Sequence, residues 1–314
     1  MNASNTSVNL LEAHLQLTRF AVQKVITPVI ASSGIILNIL NVLVLSRRNM
    51  RSSSTNTYLF ALAICDIGYL SLALTLTLRH YDDIVKGSLH FERYYLAARV
   101  MANVFSNAAV WLTLTFTVER YVCVCFPMRG KAICTPYRAR STVLVVCSIA
   151  TLLTLPQAGE KTVIEDGGNI SIDFTSLGDL ASYQWGYVYT NQALFTFIPM
   201  ILLTIFNSLL IRTVMKAAKK RTILRAGQKP KISEQHRTTI MLISIVMVFL
   251  ICQTPQATTN IVWAYFKLTN SIDDRRKRVM HIVGNICNLL VIINASINFA
   301  LYSSLSERDV NLQP

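Results

Sequence analysis

Seven stretches of this chain, at about 22–46, 55–79, 93–125, 140–158, 186–215, 237–264 and 279–302, are long and almost continuously apolar. An α-helix rises 1.5 Å per residue, so about 20 such residues cross the ~30 Å hydrocarbon layer of a bilayer. With 314 residues in all, 52% hydrophobic against 15% charged, and a mean hydropathy of +0.42, little chain remains for a soluble core. The runs are too long and too unbroken for barrel strands, which alternate over about 10 residues. The expected fold class is therefore all-α, a seven-transmembrane helix bundle. Residues 1–20 lack a basic stretch followed by an apolar core, so no cleavable signal is expected and span one opens insertion itself. The expected division is an extracellular tail over 1–21, the bundle over 22–302 and a short cytoplasmic tail over 303–314.

Charge sets the orientation. With the amino terminus outside, 18 of the 30 Lys and Arg residues fall on the cytoplasmic side against the acids Glu119, Glu234, Glu307 and Asp309. That imbalance carries the whole net charge of +14 and obeys the positive-inside rule. The basic balance thus reads as topology in a multi-pass plasma-membrane protein, with no nucleic-acid partner expected. The basic segment from Lys216 to Arg237 fits anionic membrane lipid and a docked partner equally, and Gly227 and Pro230 are expected to end its helix.

The seven cysteines, Cys65, Cys123, Cys125, Cys134, Cys147, Cys252 and Cys287, all fall within spans or inside the cell, so no outer disulfide is expected. The polar loop from Gln157 to Trp185 is expected to form an outer hairpin or lid. Glycosylation acceptors stand at Asn2, Asn5 and Asn169, all outside, while the triplet at Asn294 lies within span seven and is expected to stay unused.

Polar residues at apolar depth are informative because an ionisable group there costs about 2.5–3.5 kcal/mol even on the lenient insertion scale. Asp66 stands in the middle of span two, and Asn38, Asn294 and Asn298 lie in spans one and seven. The asparagines suit interhelical hydrogen bonds. The carboxylate, with amide oxygens nearby, suits a bound sodium ion or a protonation change. Pro156, Pro199 and Pro255 each remove a backbone donor and kink a span; Pro255, flanked by Gln253, Thr254 and Gln256, is the expected hinge.

In order along the chain stand GIILNILNVLVL around Asn38, LAICD ending at Asp66, ERYVCVCFP with Glu119, Arg120, Tyr121 and Pro127, Pro199, FLICQTP from Phe249 to Pro255, and NFALY from Asn298 to Tyr302. This pattern resembles the rhodopsin-like G-protein-coupled receptors over residues 34–302. CTPYRAR from Cys134 to Arg140, with NFALY, Asn207 and CQTP, is similar to the FMRFamide-receptor-like branch of peptide receptors. The resemblance implies that Arg120, with Glu119 as counter-ion, holds the inactive state and then contacts a heterotrimeric G protein, and that Tyr302 turns inward on activation. It also implies that Val110, Pro199 and Phe249 form a packing switch, and that Asp66, Asn294 and Asn298 form a sodium-linked core, with Ala109 lacking the hydroxyl expected on span three. No other cofactor is implied. The outer-loop disulfide and the span-four tryptophan are missing. Gln253 replaces the switch tryptophan, Asn207 a tyrosine and Phe299 a proline. The chain stops 12 residues after Tyr302, which leaves arrestin binding open.

Helical spacing back from Arg120 brings Asn103, Ser106 and Asn107 to the outer half of span three. Asn191, Gln192, Gln253, Gln256, Asn260 and Asn288 stand at similar depth on spans five to seven. These amides suit a peptide agonist, including an amidated terminus, while Glu92, Asp82, Asp83 and Asp179 suit a basic residue on it. Arg79 and Arg99 suit a carboxylate, so a free amino acid or acidic metabolite stays open as a small-molecule agonist. Ala102 stands where amine receptors carry an aspartate and Ile292 where opsins carry the retinal lysine, which argues against monoamines and retinal. Enzyme motifs such as HExxH, GxSxG and a phosphate-loop pattern are absent, and neither repeat symmetry nor a file of pore charges supports a transporter or channel. A scaffold receptor that does not signal remains the nearer alternative.

Overall fold

A computed structural model describes residues 2–48, 50, 52–81, 88–167, 169–224, 234–269 and 271–310; in some helical parts, 2–9, 217–224, 234–243 and 298–310 among them, it describes the backbone alone. Six helical stretches among these are long and apolar enough to cross a membrane: Leu10–Leu45, Ser54–His80, Leu89–Cys125, Pro136–Gly159, Tyr183–Thr213 and Asp274–Ile297. The seventh long helix, Glu234–Leu268, holds Pro255 in its interior. Span one packs on spans two and seven, span three on two, four and five, and span six on five and seven, which closes a ring.

Close approaches hold the ring together. A β-carbon on Gly34 would overlap Ser296 and Leu70, so only glycine lets span one lie this near spans seven and two. One turn further along, the buried Asn38 Nδ2 donates to Ala295 O at 3.0 Å and to Gly34 O at 2.9 Å. Asn38 is thus the helix glue that its depth implied.

Two of the three π-helical segments among the described residues stand just before a proline. Arg19–Ile26 precedes Pro28 and Ala193–Phe197 precedes Pro199. Each proline lacks the N–H that would close the turn four residues back, and the helix widens there. Pro28 was not among the prolines expected to interrupt a span.

The spans outrun the bilayer at both ends. Residues 2–18, expected as a tail, form a helix Asn2–Thr18 that runs through the π segment into Thr27–Leu45. It leans on span seven, with Leu15 buried and Glu12 Oε2 accepting from Arg278 Nε at 2.8 Å. At the other end the span-seven helix continues from Asp274 to Val310, through most of the expected cytoplasmic tail.

The loop after span four is a β-hairpin, the strand pairing among the described residues. Strands β1 (Lys161–Asp166) and β2 (Asn169–Phe174) run antiparallel, from Lys161 opposite Phe174 to Asp166 opposite Asn169. Gly167, at φ 56°, supplies the left-handed turn that a two-residue connection needs. Polar contacts hold the hairpin in place of a disulfide: the Glu160 carboxylate meets Arg99 at 3.7 Å, and Thr175 N donates to Glu160 O at 3.0 Å.

Candidate functional site

Three layers stack along the bundle axis. At the outer end lies a cavity of about 610 Å³, within the range of ligand sites in general. Of the residues expected to meet ligand, Asn103, Asn191, Gln192, Gln256, Asn260 and Asn288 line it. Gln256 Nε2 donates to Asn260 Oδ1 at 3.1 Å, leaving its own buried Oε1 without a donor. Asn103 Nδ2 donates to Gln157 Oε1 at 2.6 Å, so this amide also ties span three to the end of span four.

The other three lie elsewhere. Asn107 Nδ2 donates to Thr154 Oγ1 at 3.0 Å across the contact between spans three and four. Ser106 and Gln253 line a smaller cavity one layer deeper. Sequence spacing also missed part of the outer wall: Arg19 and Gln23 from the π turn, Lys161 from the hairpin, and Trp263, His281 and Asn285 from spans six and seven. Their polar or aromatic character at outer ends was readable, but their register on the bundle was not. Glu92, expected to face a basic ligand group, is engaged by Arg79 at 3.3 Å. Asp82 and Asp83 lie outside the described residues.

The middle layer is the smaller cavity, about 20 Å³, room for about one water-sized guest. Asp66, Ser106 and Asn294 contribute hard oxygen atoms to its wall, and Ala109 contributes none. Asp66, Ser106 and Asn294 are the residues that would hold an ion of sodium's size there. The side chains of Asn298 and Tyr302 lie outside the described residues. Val110 and Phe249 share the wall and pack with Leu114 and Leu203 in one buried cluster; Pro199, one turn before Leu203, is fully buried.

At the inner end, Glu119 Oε1 accepts from Arg120 Nη2 at 3.2 Å and from Ser54 Oγ at 2.6 Å. The Arg120 guanidinium lies over the Phe116 ring at 5.8 Å, and its buried Nε has no acceptor. Tyr121 packs between Phe126 and Phe206, with ring centroids 6.1 and 5.5 Å away. The loop beyond carries Cys134, with Sγ 2.7 Å from Cys123 Sγ. Burial, with the neighbouring thiol adding to it, pushes the Cys134 thiol up to about 12. The backbones of Asn2 and Asn5 lie in the amino-terminal helix and Asn169 opens β2; their side chains lie outside the described residues.

A seven-helix ring with a polar cavity at one end and a shielded arginine at the other defines a membrane receptor of the G-protein-coupled type. The chain belongs to the serpentine type 7TM GPCR chemoreceptors of the Srw family, whose model matches residues 25–308. It is similar to the FMRFamide receptor of Drosophila melanogaster, 28% identical over 308 residues, which cover 92% of this chain and 52% of that one. The sex peptide receptor of the same organism is 29% identical over 304 residues, 87% of this chain and 67% of its own. Mouse neuromedin-U receptor 2 is 26% identical over 286 residues, 88% and 70% respectively. The chain thus spans about half the length of the FMRFamide receptor it matches.

Proposed function

We propose that the chain is a receptor for an extracellular peptide and that it passes the binding signal to a heterotrimeric G protein. The observation that carries this reading is the outer cavity, open enough for a ligand and walled on spans three, five, six and seven in part by neutral amides, whose donors and acceptors match those of a peptide backbone. The relatives named as receptors for FMRFamide and for sex peptide support the same ligand class.

Transmission follows from the layering. A ligand that joins spans five, six and seven more favourably in one arrangement shifts the bundle toward it, by no more than its difference in affinity. The cluster of Val110, Leu203 and Phe249 lies directly between spans three, five and six and must repack when span six moves about Pro255. The same movement uncovers the inner face near Arg120, whose guanidinium has an unused donor to offer a partner.

Arg120→Ala, expressed at wild-type surface level, is expected to abolish agonist-stimulated nucleotide exchange on G proteins in membranes. Undiminished exchange in that variant removes Arg120 from the coupling role. A wild type that binds agonist without any exchange favours a scaffold receptor instead.

A further inference from the structure

Among the described residues, the wall of the outer cavity carries more guanidinium than carboxylate. Arg19, Arg79, Arg99 and Lys161 line it, and Glu160 is the single carboxylate among the described lining residues. Glu92 satisfies Arg79 from outside the wall at 3.3 Å, whereas Glu160 reaches Arg99 only at 3.7 Å. Arg19 forms no salt bridge among the described residues. Two donors are also left over: Arg99 Nε and Asn285 Nδ2 are buried without an acceptor, and both residues line the cavity.

Building on the peptide-receptor reading, we propose that the ligand enters this cavity through a carboxylate, held in the joint field of Arg99 and Arg19. The remaining amide wall takes the uncharged part of the molecule. A guanidinium matches a carboxylate with two parallel hydrogen bonds, and low-dielectric walls strengthen the attraction over its value in water. An amidated terminus supplies no charge to this surplus, and a cationic residue placed there is repelled. The carboxylate has two sources, a peptide with a free terminus or an acidic side chain, and a small organic acid.

The test uses positional-scanning tetrapeptide pools made as free acids and as amides, alongside N-acetyl amino acids as free acids. Nucleotide exchange is read on wild type, Arg19→Gln, Arg99→Gln and Glu160→Gln, with surface expression measured for each. Acid pools, or amide pools containing Asp or Glu, are expected to act at lower concentration than neutral amides. Arg19→Gln and Arg99→Gln are expected to raise the half-maximal concentration on the order of tenfold or more. Glu160→Gln, which frees Arg99 from its competitor, is expected to lower it. Should Arg99→Gln fail to reach the surface, Arg19→Gln and Glu160→Gln decide the matter through their opposite signs.

Neutral amide pools acting as well as their acid counterparts would overturn the proposal, as would wild-type responses from both arginine variants. A response to N-acetyl amino acids but to no peptide pool, lost in the arginine variants, sinks the peptide reading and leaves the carboxylate site standing. Silence of the wild type to every probe, at normal surface expression, sinks both.

Discussion

Among the described residues, Arg120 with its neighbour Glu119 and, one layer up, Asp66 bring charge between the helices, and the two places are built differently. Arg120 leans on Glu119, which Ser54 also grips, so the resting pair bridges spans two and three. Asp66, 3% exposed, faces a cavity the size of one guest. Asp66→Asn is expected to remove any effect of sodium on agonist affinity, measured by competition binding in sodium and in a large organic cation; identical salt responses in variant and wild type would reject the ion site. Asn38→Leu keeps the branching but removes the donor that joins span one to Ala295 O of span seven, and is expected to lower the stability of the detergent-purified receptor by about 1 kcal/mol, read by thermal unfolding. At this scale the sequence showed which residues are polar at depth, because hydrocarbon makes such residues rare. It did not show which way each points. Asn103, Ser106 and Asn107 lie within a turn of one another, yet one reaches the outer cavity, one the inner cavity and one span four. A rotation of less than a third of a turn separates the cavity wall from helix glue, and apolar periodicity is too blunt to set it.

Among the elements, the spans were legible because bilayer thickness imposes a minimum length on any helix that crosses. Their extensions were not, since outside the membrane helicity depends on what the segment touches. Asn2–Thr18 opens with small polar residues and has no acidic first turn to support it; its packing rests on Leu15 and on the Glu12–Arg278 pair against span seven. The hairpin or lid was expected from its glycines and polarity, although the reach of Lys161 and Phe174 to the cavity wall was not. With free cysteines throughout, ligand binding is expected to survive a mild reductant; loss of binding at unchanged expression would contradict this. Where spans one and seven touch, Gly34→Ala forces a methyl into Ser296 and Leu70 and is expected to cost about 1–3 kcal/mol of stability, which thermal unfolding or surface yield will report.

For the whole molecule, the ring of seven spans places the agonist cavity and Arg120 on opposite faces of one membrane. That arrangement requires the two termini to lie on opposite sides. Epitope tags are expected to stain outside on intact cells at the amino terminus and only after permeabilisation at the carboxyl terminus; both tags on one side would undo the topology. The hairpin has its own consequence for timing. No covalent bond fastens the hairpin to span three: the Arg99–Glu160 pair is partly wetted, with side chains 31% and 17% exposed, and mobile ions weaken such links. Entry and exit of an agonist are therefore both expected to quicken as ionic strength rises, because the door over the cavity is latched by charge and swings more freely in brine.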